Sequence, residues 1–195
     1  MQHILNDKEQ SILLDLAHEA IRARLENEDL VPPALSTLSP ILRENGASFV
    51  TLTLRGQLRG CIGSLVPRRP LAVDVQENAI AAAFKDPRFP PLTRKEFEHI
   101  TVELSVLSQP QPLEYDGPDD LIRKLRPGVD GVVLQRGWNR ATFLPQVWKQ
   151  LPEPEEFLGH LCYKAGLPAN AWQWPDLEIE TYQVQKFKQP PPAEN

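Results

Sequence analysis

Only two cysteines occur in this chain, and one of them, Cys61, sits in Leu58-Arg59-Gly60-Cys61-Ile62-Gly63. A thiol next to a guanidinium can serve as a nucleophile, because positive charge favours the thiolate. It can also simply line a binding pocket, or pack as a small hydrophobe. Gly60 and Gly63 lack a Cβ and allow a ligand or another element to come close. No His, Asp or Glu follows Cys61 at a nucleophile or metal spacing, so the motif alone names no reaction. If the segment is a regular strand, Arg59, Cys61 and Gly63 share one face and Leu58, Gly60 and Ile62 the other, facing the core.

Other groups able to act with Cys61 are spread along the chain. Glu103 lies opposite the apolar side of an alternating run, Ile100, Val102, Leu104 and Val106, and is expected to pair with Arg59 or Arg140. Asp86 and Arg88 flank Pro87 in a stiff loop, where Lys85 and Arg88 can receive an anion. Residues 59–95 carry seven Lys and Arg against three acids, within a chain of net charge −5. Such a patch suits a small anionic ligand or an acidic partner. The overall acidity disfavours broad nucleic-acid binding, which needs a basic footprint. His160 and Cys162 are two apart and share a helix face poorly, so no metal site is assigned. Trp138, Trp148, Trp172 and Trp174 stand among Pro, Glu and Asp, which suits packing or protein contact better than base stacking. Phosphate-loop, dinucleotide, zincin and serine-hydrolase motifs are absent from the sequence.

The elements that must position these groups read as follows. A helix runs from about Asp7 to Glu28, capped by Asn6 with Glu9 completing a capping box, and carries an apolar stripe of Ile12, Leu13, Leu16, Ala20, Ile21 and Leu25. A short helix from Pro40 stops at Gly46. Strands at 49–54 and 57–64 flank an Arg55-Gly56 turn. An Ala-rich helix spans 71–85, with Val75, Ala79, Ala82 and Ala83 inward, and Asp86-Pro87 ends it. Thr93 and Glu96 suggest another capped helix before the strand that starts at Ile100. The second half repeats the pattern: strands 131–135 and 139–143 about an Arg136-Gly137 turn, a helix over 153–164, and a last strand over 177–187.

Arg-Gly-x-x-Arg occurs at Arg55 and again at Arg136, and the closing strands follow at nearly the same interval. The expected fold class is therefore α/β (α+β), with duplicated β-hairpin–helix–strand units merging into one curved, mainly antiparallel sheet flanked by helices. The expected organisation is a single domain over 1–188. It has two related halves at about 48–107 and 129–187, an N-terminal helical segment, and a disordered tail at 189–195. The N-terminus lacks a secretory pattern and no apolar run approaches the about 20 residues that span a bilayer, so cytoplasm is the expected location, with no membrane partner. Oligomeric state is left open.

The central motif resembles that of the AMMECR domain family. The likeness continues through Arg68-Arg69-Pro70-Leu71, Glu77-Asn78-Ala79, Ala83-Phe84-Lys85-Asp86-Pro87-Arg88-Phe89-Pro90-Pro91-Leu92 and Val102-Glu103-Leu104-Ser105-Val106-Leu107. In the second half it covers Leu125-Arg126-Pro127-Gly128-Val129-Asp130-Gly131, Ala141-Thr142-Phe143-Leu144-Pro145-Gln146-Val147-Trp148 and His160 to Leu167. The resemblance implies a compact α/β fold with two related halves. It also implies a role as protein A of a three-part system with Memo-like and radical S-adenosylmethionine proteins, and it implies no particular reaction or cofactor. Carried over by position, it points to Arg59, Cys61, Asp86, Arg88, Glu103 and Thr142. The chain lacks the cysteine triad of a radical enzyme, so it does not itself hold that iron–sulfur cluster. The leading expectation is a component of a multi-protein modification pathway that binds a small anionic substrate or partner around Arg59 and Cys61. The alternatives are an enzyme using the Cys61 thiolate and an RNA-associated protein using the 59–95 patch.

Overall fold

The computed structural model describes residues 5–189, and the rest of the expected C-terminal tail lies outside the described residues. The chain forms two compact units, one from residues up to Ser108 together with the segment from Gln185, the other from Gln109 to Val184.

The first unit begins with helix α1 (Asp7–Glu26), closed at its N-terminus by the expected capping box: Asn6 accepts from the Glu9 N–H and Glu9 accepts from the Asn6 N–H. Helix α2 (Pro40–Arg43) is a single turn. It ends before Gly46 because strand β1 (Asn45–Leu54) already includes that residue, whose Cα lies against Leu71 with no room for a side chain. Strand β2 (Gln57–Gly63) returns through the Arg55-Gly56 turn, in which both residues have positive φ, the signature of the hairpin turn whose twist matches its strands. A short strand β3 (Arg69–Pro70) leads into α3 (Leu71–Phe84). Helix α4 (Arg94–Phe97), with the expected Thr93 and Glu96 capping box, precedes β4 (Ile100–Leu107). The sheet order is β2-β1-β4, followed by the last strand of the chain, β9 (Val184–Lys188), with β3 paired to β1. Val50, Leu52, Val102 and Leu104 point to one face and are fully buried in a core shared with Leu13, Ala17 and Ile21 of α1 and Val75, Ala79 and Ala82 of α3.

The second unit has β5 (Gln111–Pro112), α5 (Pro118–Lys124), β6 (Gly131–Arg136), β7 (Asn139–Phe143), α6 (Pro154–Lys164) and β8 (Glu178–Tyr182). Its sheet order is β5-β8-β6-β7. It closes its own core, in which Phe157 stacks on Trp148 with ring centroids 3.7 Å apart.

The fold is thus a mixed α/β fold with a repeated hairpin–helix–strand unit. In both units the closing strand pairs with the first strand of the hairpin, giving β2-β1-β4 and β7-β6-β8. The expected single sheet is corrected to two. The run read as one last strand breaks at Gln183: β8 completes the second sheet and β9 joins the first. The second hairpin also turns one residue later than expected, at Gly137-Trp138, because Arg136 pairs with Asn139 as a strand residue. Among the described residues no helix is long and apolar enough to cross a membrane.

Candidate functional site

Cys61 stands opposite Thr51 on β1, and Thr51 stands opposite Glu103 on β4. Residues directly opposite on adjacent strands project to the same face. A thiol, a hydroxyl and a carboxylate therefore form one row across three strands, on the face opposite the helix-covered core. All three are half-buried. Cys61 Sγ lies 3.4 Å from Thr51 Oγ1. Glu103 is a second strand away, roughly 10 Å at the backbone given the strand spacing. Its carboxylate makes no hydrogen bond or ion pair among the described residues. The expected partners are engaged elsewhere: Arg59 pairs with Glu96 and Arg140 with Glu180.

Regular strand parity fails at Arg59. Leu52 pairs with Gly60 but Thr53 pairs with Leu58, so Arg59 is the extra residue of a β-bulge. A bulge re-aims the side chains around it. Arg59 turns inward to 7% exposure, while Leu58, expected in the core, is 45% exposed. Arg59 Nε and Nη2 donate to the Glu96 carboxylate at 2.9 and 3.1 Å, and Nη2 also donates to the Pro90 carbonyl at 2.9 Å. This arginine holds Glu96 well below the usual carboxylate range, at about 2, helped by hydrogen bonds from Thr93 and opposed by burial. Arg59 and Cys61 therefore do not form the expected thiolate pair, because the Arg59 charge is matched by Glu96.

The guanidinium that reaches Cys61 belongs to Arg88. Strand β2 is an edge strand, and the loop after α3 covers it at Cys61. The Cys61 N–H donates to Asp86 Oδ2 at 2.9 Å, and Arg88 Nη2 donates to the Cys61 carbonyl at 3.3 Å. Arg88 also grips Asp86 through Nε at 2.9 Å and Nη2 at 2.7 Å. Those bonds, with the backbone N–H groups of Cys61 and Arg88, hold the Asp86 carboxyl far below its ordinary range against the effect of burial. One carboxylate and one guanidinium thus supply the ladder bonds a neighbouring strand would make, which protects the edge. Phe89 packs between the two arginines, with its centroid 5.9 Å from Arg59 Cζ and 5.5 Å from Arg88 Cζ.

The close approaches at Gly60 and Gly63 are made by the protein itself. A Cβ on Gly60 would lie 2.1 Å from the Ala82 carbonyl oxygen of α3, and one on Gly63 would lie 2.3 Å from the Phe49 ring. The basic stretch is largely neutralised: Arg69 pairs with Asp74 and Glu77, and Arg94 pairs with Glu26. Lys85 is exposed, and the Arg88 side chain is about half exposed. In the second unit, Thr142 Oγ1 is 3.1 Å from the Tyr182 hydroxyl, and Arg140 binds Gln135 and Glu180.

Two parts of the first unit were missed by sequence reasoning. Thr51, the middle of the polar row, became Cys61's partner only through the bulge, which leaves no sequence signal. Asp74 and Asn78 form the second. They sit four apart on the inner side of α3 and bind Ser48, Ser64 and Arg69 in a buried network. A signal did exist here: two polar residues at helical spacing interrupt the apolar stripe of Ala72, Val75 and Ala79.

An α/β fold of two hairpin–helix–strand units, with a half-buried thiol on one sheet face and an aspartate–arginine clamp on its edge, is the class the geometry defines. Residues 14–187 match the family model described as AMMECR1, and the chain belongs to that family. It is 41% identical over 185 residues to a protein of Methanothermobacter thermautotrophicus, covering 94% of this chain and 95% of the relative. A Thermofilum pendens protein is 39% identical over 203 residues, with 96% and 93% covered. The crystal structure of the uncharacterized protein PH0010 from Pyrococcus horikoshii matches with a TM-score of 0.73 and 34% identity, over 96% of this chain and 95% of that one.

Proposed function

We propose that this AMMECR1-family protein is the binding component of a multi-protein modification pathway, alongside Memo-like and radical S-adenosylmethionine proteins. On this reading it holds a small anionic substrate or partner group at the sheet face around Cys61, while Arg59, turned inward onto Glu96, supports the edge rather than touching the bound group. The observation that carries the reading is the row Cys61, Thr51 and Glu103, left half-buried while the opposite face is sealed by helices. Arg88, half exposed and bonded to the Cys61 carbonyl at the edge of this row, presents a guanidinium whose charge it shares with Asp86. Thr51 gives Cys61 a hydroxyl neighbour rather than a base, which supports binding over nucleophilic catalysis.

Native mass spectrometry of gently purified full-length protein tests this. A retained small anion or partner is expected in the wild type. It should fall at least about tenfold in Arg88→Ala and in the near-isosteric Thr51→Val, and alkylation of Cys61 by iodoacetamide should displace it. Cys162 should stay unlabelled in folded protein, since it is fully buried and burial pushes its thiol pKa up. Equal retention by the wild type and both variants would overturn the reading, whereas a Cys61 that stays unlabelled at pH 8 would count against the alternative of a thiolate nucleophile and leave binding as the better account.

A further inference from the structure

The second unit contains a cavity of about 670 Å³ that the polar row does not touch. Its walls include Tyr115, Trp172 and Trp174, with Pro112, Pro118 and Pro175 around them. Trp172, Leu177 and Ile179 are buried and form the deep side, while Pro112, Glu114, Asp116 and Glu178 are exposed at the rim. The Tyr115 hydroxyl donates to the Leu177 carbonyl at 2.7 Å, which orients the ring in the wall. No Lys or Arg lines the cavity, but four carboxylates do: Glu114, Asp116, Glu178 and Glu180. Glu180 is paired with Arg140, whereas Glu114, Asp116 and Glu178 make no ion pair among the described residues. The whole unit carries seven Lys and Arg against eleven Asp and Glu, so the field at the cavity is negative.

We infer that this groove binds a proline-rich peptide segment bearing an arginine or lysine. Proline rings pack well on tyrosine and tryptophan faces, and a polyproline II segment is already extended, so it loses little entropy on docking. Its carbonyls need donors. Trp148 spends its indole N–H on the Asp130 carbonyl, whereas the indole N–H of Trp174, half-buried in the cavity wall, makes no hydrogen bond among the described residues. The unpaired carboxylates at the rim select the basic residue. Trp174 already accepts one guanidinium: Arg136 Cζ lies 4.5 Å from its ring. The partner is thus a basic, proline-rich segment of another protein, recognised independently of the Cys61 face.

Isothermal titration of the full-length chain with the end-blocked peptide Pro-Pro-Arg-Pro-Pro-Arg-Pro-Pro tests the inference. Saturable binding is expected, at least about tenfold tighter than for the peptide with Glu in place of Arg. Glu114→Lys combined with Glu178→Lys should weaken it by at least about tenfold. Both side chains are exposed, so an unchanged far-ultraviolet spectrum will show the fold intact. Trp174→Phe should weaken it as well. No saturable binding would overturn the proposal. So would equal affinity for an Ala-for-Pro peptide, which would mean charge alone, or equal affinity for arginine amide, which would mean a small-cation pocket.

Discussion

Gly60 shows how a single residue sets the geometry of the sheet edge. Its missing side chain lets β2 lie directly against the backbone of α3, and the adjacent bulge drives Arg59 inward to Glu96. Gly60→Ala would set a methyl group 2.1 Å from a backbone oxygen that no rotamer change can move. We expect a loss of about 3 kcal/mol in urea unfolding. An unaffected midpoint would show that α3 can back away from β2. Thr51 and Cys61 depend on the same bulge, because it shifts their pairing by one residue. The types of the site residues were legible in the sequence, but their partners were not. Arg59, Cys61, Asp86, Arg88 and Glu103 were all singled out, yet Arg59 was paired with the wrong carboxylate. Strand parity assumes an unbroken ladder, and a bulge changes which face a side chain takes without changing the residues themselves.

Local signals were most reliable for elements whose ends are chemically marked. The Asn6–Glu9 and Thr93–Glu96 capping boxes and the Arg55-Gly56 turn appear where their spacing put them. Contacts between distant elements carried less signal. Glu96 was read as half of a capping box, but the same carboxylate also anchors Arg59 across 37 residues. That double use ties the loop after α3 to pH. The folded-state pKa of Glu96 is depressed from 4.5 to about 2, and that of Asp86 is also lowered, so both contribute stability that is fully present above their unfolded values. The contribution fades as pH falls from about 4.5 toward 2. Allowing for solvent screening, Glu96 accounts for about 2 kcal/mol of it. Hydrogen exchange at residues 86–97 should therefore accelerate between pH 4.5 and 2.5 beyond its intrinsic pH dependence, and Glu96→Gln should show the faster exchange already at pH 6. An equal rate in the variant at pH 6 would remove the ion pair from the account. The split of the last strand did leave a trace in the sequence: the apolar positions Leu177 and Ile179 give way to Tyr182 and Val184, a change of parity beside the point where the chain changes sheets at Gln183.

At the scale of the whole molecule, the proposal of a single domain with two related halves meets a chain path that leaves the first unit after Ser108 and re-enters it at Gln185. Strand β9 lies beside β4, and the Gln189 N–H donates to the Val102 carbonyl. Gln185 uses its side-chain amide like a short strand: Oε1 accepts from the Leu5 N–H and Nε2 donates to the Leu5 carbonyl, both at 2.9 Å. The two ends of the described chain are therefore fastened together. A version ending at Val184 should aggregate or elute as large species in size-exclusion chromatography, because β4 would present an open edge. Monomeric elution with an intact near-ultraviolet spectrum would show that β9 is dispensable. The same path sets an order on biosynthesis. The first sheet is complete only when its final strand leaves the ribosome, after residues 108–183 have been made, a wait of roughly 4–15 s at ordinary translation rates. For that interval a nascent chain with a finished core still has an unpaired edge at β4, and it is in this window, rather than in the mature protein, that a holding chaperone would matter most.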